Sequence, residues 1–75
     1  MTGSQIVAPT DGLLFGYYFS DYDNFVQVCV NGIMVTLDDF MYKQHSAAGI
    51  YMFLYKGDIV TIHPYGFFNC RFVKI

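Results

Sequence analysis

The side chains in this sequence best suited to acid–base or nucleophilic chemistry are two histidines and two cysteines. Neither His45 nor His63 belongs to a serine–histidine–aspartate triad order, an HExxH motif or a Walker loop. We therefore predict a structural role for each histidine. Cys29 and Cys70 form no CxxC pair and are predicted to be unbridged, half-buried thiols. We therefore predict a non-catalytic protein with no cofactor and no bound metal. A small β-barrel enzyme or ligand-binding subunit is an alternative without a catalytic constellation to support it.

The loop Asp21-Tyr22-Asp23-Asn24 is the strongest candidate for ligand binding. Its oxygen atoms suit a hard cation, but it lacks the glycine and the distal glutamate of an EF-hand. Asp and Asn also cap turns by bonding their own backbone, which is the alternative role for this segment. A tyrosine beside such residues can stack on a sugar and bond its hydroxyls. The predicted ligand-binding residues are Asp21, Tyr22, Asp23, Asn24 and, in a second predicted loop, Tyr65.

The charge of the chain excludes several partners. Only four residues are Lys or Arg, against six Asp, and the net charge is −2. Four basic residues assemble no patch for a phosphate backbone, so nucleic acid and anionic membrane surfaces are not expected as partners. No apolar run approaches the roughly 20 residues of a membrane helix, so we predict no membrane insertion. Residues 1–5 carry no signal-peptide pattern and are predicted to be a flexible leader or an expression remnant.

The remaining composition is typical of β-strands. Val, Ile, Phe, Tyr and Thr dominate, and there is no Glu. Turn signals recur at short intervals, which is typical of a sandwich or barrel. They are Pro9-Thr10-Asp11-Gly12, residues 20–24, Asn31-Gly32, Lys56-Gly57-Asp58 and Pro64-Tyr65-Gly66. We predict a single all-β domain over residues 1–75, a small antiparallel β-sandwich of jelly-roll type with about seven short strands.

The clearest local element is a hairpin. Residues 25–30 and 33–37 flank Asn31-Gly32, the pair preferred in a two-residue type I′ turn. Uninterrupted pairing from that turn would place six apolar side chains on one buried face. The predicted pairs are Val30 with Ile33, Val28 with Val35, and Val26 with Leu37.

Three strands carry apolar residues on both faces: residues 13–19, 50–55 and 67–75. The chain is 55% hydrophobic and 20% aromatic, and 13% charged, whereas average chains carry about 25% charged residues. A domain this small buries only about 60% of its unfolded surface, so neighbouring copies are expected to cover the excess. The predicted interface residues are Phe15, Tyr17, Tyr51, Phe53 and Tyr55.

Four segments in this order resemble a known kind of module. They are Ile6-Val7-Ala8-Pro9-Thr10-Asp11-Gly12, Val30-Asn31-Gly32-Ile33, Leu54-Tyr55-Lys56-Gly57-Asp58-Ile59-Val60 and Phe72-Val73-Lys74-Ile75. Together they resemble the small β-sandwich tip modules at the C-termini of phage tail fibres and tailspikes. More distantly, they are similar to the trimeric jelly roll of tumour necrosis factor and complement-type globular heads. The resemblance implies a homotrimer and carries over no binding residue.

The expected function is therefore that of a non-catalytic, trimerising tip module of a phage tail fibre or tailspike. It would contact a host cell-surface glycan or protein, and it would lie in the virion after synthesis in the host cytoplasm. The alternative is a small carbohydrate-binding or adhesion module of a bacterial protein. A trimer in solution favours the first function and a monomer the second.

Overall fold

The computed structural model describes residues 1–20, 25–39 and 46–75, and the described residues form a two-sheet β-sandwich. This confirms the predicted fold class, with eight strands in place of about seven. The strands are β1 (Thr2–Gly3), β2 (Gln5–Val7), β3 (Gly12–Ser20), β4 (Phe25–Val30), β5 (Ile33–Asp39), β6 (Ser46–Leu54), β7 (Ile59–His63) and β8 (Phe67–Lys74).

The strands are wound as a jelly roll. Sheet A has the order β1-β8-β3-β6, and sheet B has the order β2-β7-β4-β5, with all pairs antiparallel. The first strand pairs with the eighth, the second with the seventh, the third with the sixth and the fourth with the fifth. These four pairs together form one long antiparallel hairpin. When that hairpin folds over on itself into two sheets, β3 also pairs with β8, and β4 with β7.

Residues 1–5 contribute to two strands where the sequence predicted a flexible leader or an expression remnant. Thr2–Gly3 forms β1 at the edge of sheet A, and β2 begins at Gln5. The backbone of Met1 both donates to and accepts from Cys70, at 2.6 and 2.9 Å. These backbone bonds to β8 order a segment whose own apolar pattern is too short to predict a strand.

The core lies between the sheets and is built from alternate residues of each strand. Leu14 and Tyr18 of β3 and Phe68 of β8 are fully buried and face Val28 and Val60 of sheet B in one hydrophobic cluster. Tyr18 and Phe68 meet edge to face with ring centroids 6.2 Å apart. Phe68 and Cys70 of β8 are buried in this cluster, and the partly buried Phe72 packs against it.

The turn of the predicted hairpin is confirmed. Asn31 and Gly32 have φ angles of 51° and 83°, and a type I′ turn requires positive φ at both positions. A Cβ added at Gly32 would meet no atom within 4 Å. The requirement for glycine at this position is therefore one of backbone conformation and not of space.

Gly32→Val should destabilise the domain by about 1–3 kcal/mol, because a β-branched residue is strained at positive φ. Gly32→Asn is the matched control, since asparagine tolerates this conformation, and it should cost much less. Urea unfolding of the three proteins measures both effects. Equal midpoints for the valine and asparagine variants would show that the turn does not impose this conformation.

The predicted pairing beyond the turn is wrong because β5 contains a β-bulge. Val30 pairs with Ile33 as predicted, but the register shifts between Val28 and Cys29, so Val28 lies opposite Thr36. Val35 is the extra residue. The shift turns Val35 and Leu37 outward, where both are half exposed. It also brings the Thr36 hydroxyl within 3.0 Å of the Tyr18 hydroxyl on sheet A, which closes a hydrogen bond across the core.

Asp58 joins two turns at one end of the sandwich. Its carboxylate accepts from the Asn31 side-chain amide at 3.0 Å and from the Tyr55 backbone N–H at 2.8 Å. The Asn31 side-chain oxygen in turn accepts from the Ile59 N–H at 2.9 Å. The hydrogen bond from Asn31, and next that from Tyr55, lower the pKa of Asp58 below its ordinary value of 3.8. The Lys-Gly-Asp turn is thus bound to the Asn-Gly turn.

The stabilisation from Asp58 should therefore disappear in acid. Folding favours the charged carboxylate, so its contribution is complete above the unfolded pKa and is lost as the pH falls through the lower folded pKa. Thermal unfolding of the wild type and of Asp58→Asn, from about pH 5 to about pH 2, tests this. The difference in stability between the two proteins should shrink as the pH falls. A difference that stays constant across this range would contradict the assignment.

Candidate functional site

The outer surface of sheet A is a continuous aromatic face, formed where β3, β6 and β8 lie side by side. Their outward positions are Leu13, Phe15, Tyr17 and Phe19 on β3, Ala47, Gly49, Tyr51 and Phe53 on β6, and Phe67, Asn69, Arg71 and Val73 on β8. Among these twelve positions Arg71 is the sole charged residue. A solvent-facing sheet surface ordinarily carries polar side chains, so this face is unusual for a chain on its own.

The rings on the aromatic face pack against one another. Phe19 and Phe67 lie across β3 and β8 with centroids 3.9 Å apart, and Tyr17 lies 6.1 Å from Phe19. At the other end of the sheet, Phe53 and Tyr55 meet edge to face at 5.2 Å. These contacts hold the rings in place, so little side-chain freedom remains to be lost when another surface covers them.

The amount of exposed aromatic surface is large for this chain. Tyr17, Tyr51, Phe53, Tyr55 and Phe67 are exposed by fractions from 43% for Tyr17 to 73% for Tyr51. At about 200 Å² per side chain, these five leave roughly 500 Å² of aromatic side chain in water. That is near the upper end of the largest apolar patch on a typical monomer, about 300–600 Å², and such patches are often functional.

The structure brings four of the five predicted interface residues onto this face: Phe15, Tyr17, Tyr51 and Phe53. The fifth, Tyr55, follows the end of β6 and packs on Phe53. Phe15 is only partly exposed, because its neighbours in β6 and β8 cover it. The sequence prediction did not include Phe19 and Phe67, which also lie on this face. The outward alternation of β8 was the signal that could have found Phe67.

The predicted ligand-binding residues are only partly described. Asp21, Tyr22, Asp23 and Asn24 lie outside the described residues, as does His45. Tyr65 is in the turn between β7 and β8, and its side chain is 57% exposed. That turn lies at the edge of a groove of about 480 Å³ on the outside of sheet B.

The groove beside Tyr65 is lined by neutral side chains from two strands and a turn. Its lining includes Ser4, Gln5, Thr61, His63 and Tyr65. Gln5 lies directly opposite Thr61 in the pairing of β2 with β7, so both side chains point outward together. The Thr61 hydroxyl and His63 Nε2 are 3.1 Å apart. Among the residues that the structure describes, no Asp, Glu, Lys or Arg belongs to this lining.

The thiols and the remaining titratable groups form no reactive cluster in the described part of the chain. Cys29 and Cys70 are unbridged, and both are buried where the sequence predicted half-buried thiols. Burial raises the pKa of the Cys70 thiol, which keeps it protonated and unreactive. Within residues 1–20, 25–39 and 46–75, no three His, Cys, Asp or Glu side chains are placed to hold a metal ion. Across the same residues, no helix has the length and hydropathy to cross a membrane.

The fold and these surfaces define a small jelly-roll domain with an aromatic outer face on one sheet and a neutral polar groove on the other. Comparison with protein-family models, with curated proteins and with solved structures gave no match.

Proposed function

We propose that this domain is a non-catalytic assembly and attachment module. Copies of the chain associate through the aromatic face of sheet A, and the surface that remains exposed contacts a host cell. The setting we propose is the tip of a phage tail fibre or tailspike, with three copies in the assembly. The observation that carries this proposal is the aromatic face.

The size of the aromatic face supports self-association. A standard interface covers about 800 Å² on each partner. Five aromatic side chains supply more than half of that, and outward residues such as Val73, which is half exposed, add to it. Arg71 is the one charged residue among the twelve outward positions of this face. Two copies can therefore meet through it and bury few charges of the same sign, which favours a second copy as the partner.

Threefold symmetry and the viral setting derive from the resemblance of the four sequence segments. The jelly-roll topology is compatible with both, since this architecture occurs in viral capsid proteins and in lectins. The same topology hosts many functions, so the assembly must be tested directly.

Tyr51→Lys should convert the assembly into monomers without unfolding the chain. Tyr51 is 73% exposed in the single chain, so lysine is tolerated there, but in an interface it would bury a charge without a partner. Light scattering coupled to size-exclusion chromatography should give three times 8.6 kDa for the wild type and 8.6 kDa for the variant. The interface should weaken by at least about a hundredfold, given the 2 kcal/mol or more lost at interface hot spots.

Ile33→Lys is the matched control. Ile33 is 71% exposed, about as much as Tyr51, but it lies at the tip of the β4–β5 hairpin in sheet B. This variant should keep the mass of the wild type. A folded wild-type monomer at micromolar concentration would refute self-association through this face, and dissociation by Ile33→Lys alone would place the interface elsewhere.

The second candidate function is a carbohydrate-binding or adhesion module of a bacterial protein. The neutral polar groove beside Tyr65 favours it, because amides, hydroxyls and an aromatic ring are the groups that bind sugars. A wild-type monomer that binds saccharide would select this function over the fibre tip.

A further inference from the structure

We propose that the groove beside Tyr65 binds one unit of a neutral saccharide. This inference depends on the attachment half of the proposed function and not on the assembly half. The groove lies on the outer surface of sheet B, on the opposite side of the sandwich from the aromatic face of sheet A. Three features of the groove support this proposal: an exposed aromatic ring on a fixed turn, a set of hydrogen-bonding groups without Asp, Glu, Lys or Arg among the described residues, and a volume suited to a sugar.

The backbone of Tyr65 is fixed while its ring is left in water. The buried Ser20 hydroxyl donates to the Tyr65 carbonyl at 2.6 Å. The next residue, Gly66, has a φ of 149°, and a Cβ there would lie 2.7 Å from the Phe19 carbonyl oxygen. The turn therefore fits closely against the end of β3 and cannot shift easily. An exposed ring on a fixed turn is a platform for the apolar face of a sugar, because the backbone loses little freedom on binding.

The polar groups on this side of sheet B offer donors and acceptors without net charge. Gln5 and Thr61 face outward as a cross-strand pair, and Gln27 lies opposite His63 in the pairing of β4 with β7. Amide, hydroxyl and imidazole groups can each bond a sugar hydroxyl in either direction. Gln5, Thr61 and His63 line the groove together with Tyr65, and Gln27 lies beside His63 on the neighbouring strand.

The charge and size of the groove select the class of ligand. Because the described residues that line it include no Lys or Arg, this lining offers no cation to a sulfated or sialylated sugar. The volume of about 480 Å³ is within the range of small-molecule sites, and it is open enough for a unit within a longer chain. Apolar partners, in contrast, fit the aromatic face on sheet A. A neutral hexose or hexosamine unit is therefore the ligand that this groove fits.

Chemical-shift titration of the full chain, labelled with ¹⁵N, tests the proposal. The probes are methyl α-D-glucopyranoside, methyl β-D-galactopyranoside and N-acetylglucosamine, with N-acetylneuraminic acid as the anionic comparison. At least one neutral probe should give saturable shifts at the amides of Thr61, His63, Tyr65 and Gly66, with a dissociation constant of roughly 1 mM, the usual range for so small a contact. N-Acetylneuraminic acid should bind more weakly than that probe.

Tyr65→Ala should weaken binding by about tenfold or more, whereas Tyr65→Phe should retain it within about threefold, because the ring remains. Tyr51→Ala removes a still more exposed tyrosine from sheet A and should leave the saccharide response in place. The proposal would be overturned if none of the neutral probes gave saturable shifts, or if the shifts were confined to sheet A. It would also be overturned if Tyr65→Ala bound as tightly as the wild type, or if the anionic probe bound more tightly than the neutral probes. The chemical shifts of sheet B report saccharide binding whether the chain is a monomer or an oligomer. A loss of saccharide binding can therefore be distinguished from a loss of self-association.

Discussion

Gly16→Ala is expected to destabilise this domain by more than about 3 kcal/mol, enough to unfold a large share of a marginal chain. Gly16 lies in the middle of β3, between β6 and β8, with a φ of 149°. A Cβ at this position would lie 2.5 Å from the Asn69 carbonyl oxygen and 2.7 Å from the Cys70 Cα. Both are backbone atoms of the neighbouring strand, so no side-chain rotation can relieve the overlap. The β3 and β8 strands would have to separate.

Gly49→Ala is the matched control for this prediction. Gly49 lies opposite Tyr17 on β6 in the same sheet, and a Cβ there would approach nothing closer than the Gly16 carbonyl oxygen at 3.9 Å. It should leave stability unchanged or raise it by up to about 1 kcal/mol, since alanine restricts the unfolded chain. Urea midpoints, measured at one chain concentration because oligomers respond to concentration, decide the outcome. A Gly16→Ala midpoint equal to that of the wild type would refute the close approach.

Phe68→Ala should cost about 3–5 kcal/mol, as expected for removing a fully buried phenylalanine ring. Phe68 lies at the centre of the core on β8, where its ring meets Tyr18. The sheets are held apart by the side chains around it, so the space left by the ring cannot close completely. Loss of the contact would also loosen Tyr18, whose hydroxyl bonds Thr36 of the other sheet.

Phe67→Ala, one position away, tests whether the effect arises from burial alone. Phe67 points to the opposite side of sheet A and is 44% exposed. Its removal should cost less than half as much in the free energy of unfolding of the monomer, since part of its surface already contacts water. Thermal or urea unfolding in the Tyr51→Lys background would separate folding from association. Equal losses for the two phenylalanine variants would mean that the inward and outward sides of β8 are assigned wrongly.

Much of the fold follows from local pattern. β4 has the bounds predicted for the first strand of the hairpin, residues 25–30, because Asn31-Gly32 marks where that strand must stop. A glycine inside a strand is typical of a close backbone approach, and β8 makes that approach at Gly16. Alternating side chains also predicted which apolar residues remain outside sheet A.

What could not be predicted depends on contacts between distant segments. The bulge at Val35 satisfies the hydroxyl pair of Tyr18 and Thr36 across two sheets, and no turn signal within the hairpin indicates an extra residue. The strand at residues 2–3 exists because β8 pairs with it. The groove beside Tyr65 joins Gln5 to Thr61, which are brought together only by the winding of the jelly roll.

The aromatic face and the groove beside Tyr65 lie on opposite sides of the sandwich, and this arrangement bears on the strength of attachment to a cell surface. An assembly that closes over sheet A leaves sheet B of every copy facing outward. Each copy then presents its own shallow groove, and the grooves move as one rigid body. Weak single contacts on a repeating glycan would act at high effective concentration, so that avidity could exceed single-site affinity by about 10²–10⁴. Attachment could then be strong even though each sugar is released within milliseconds.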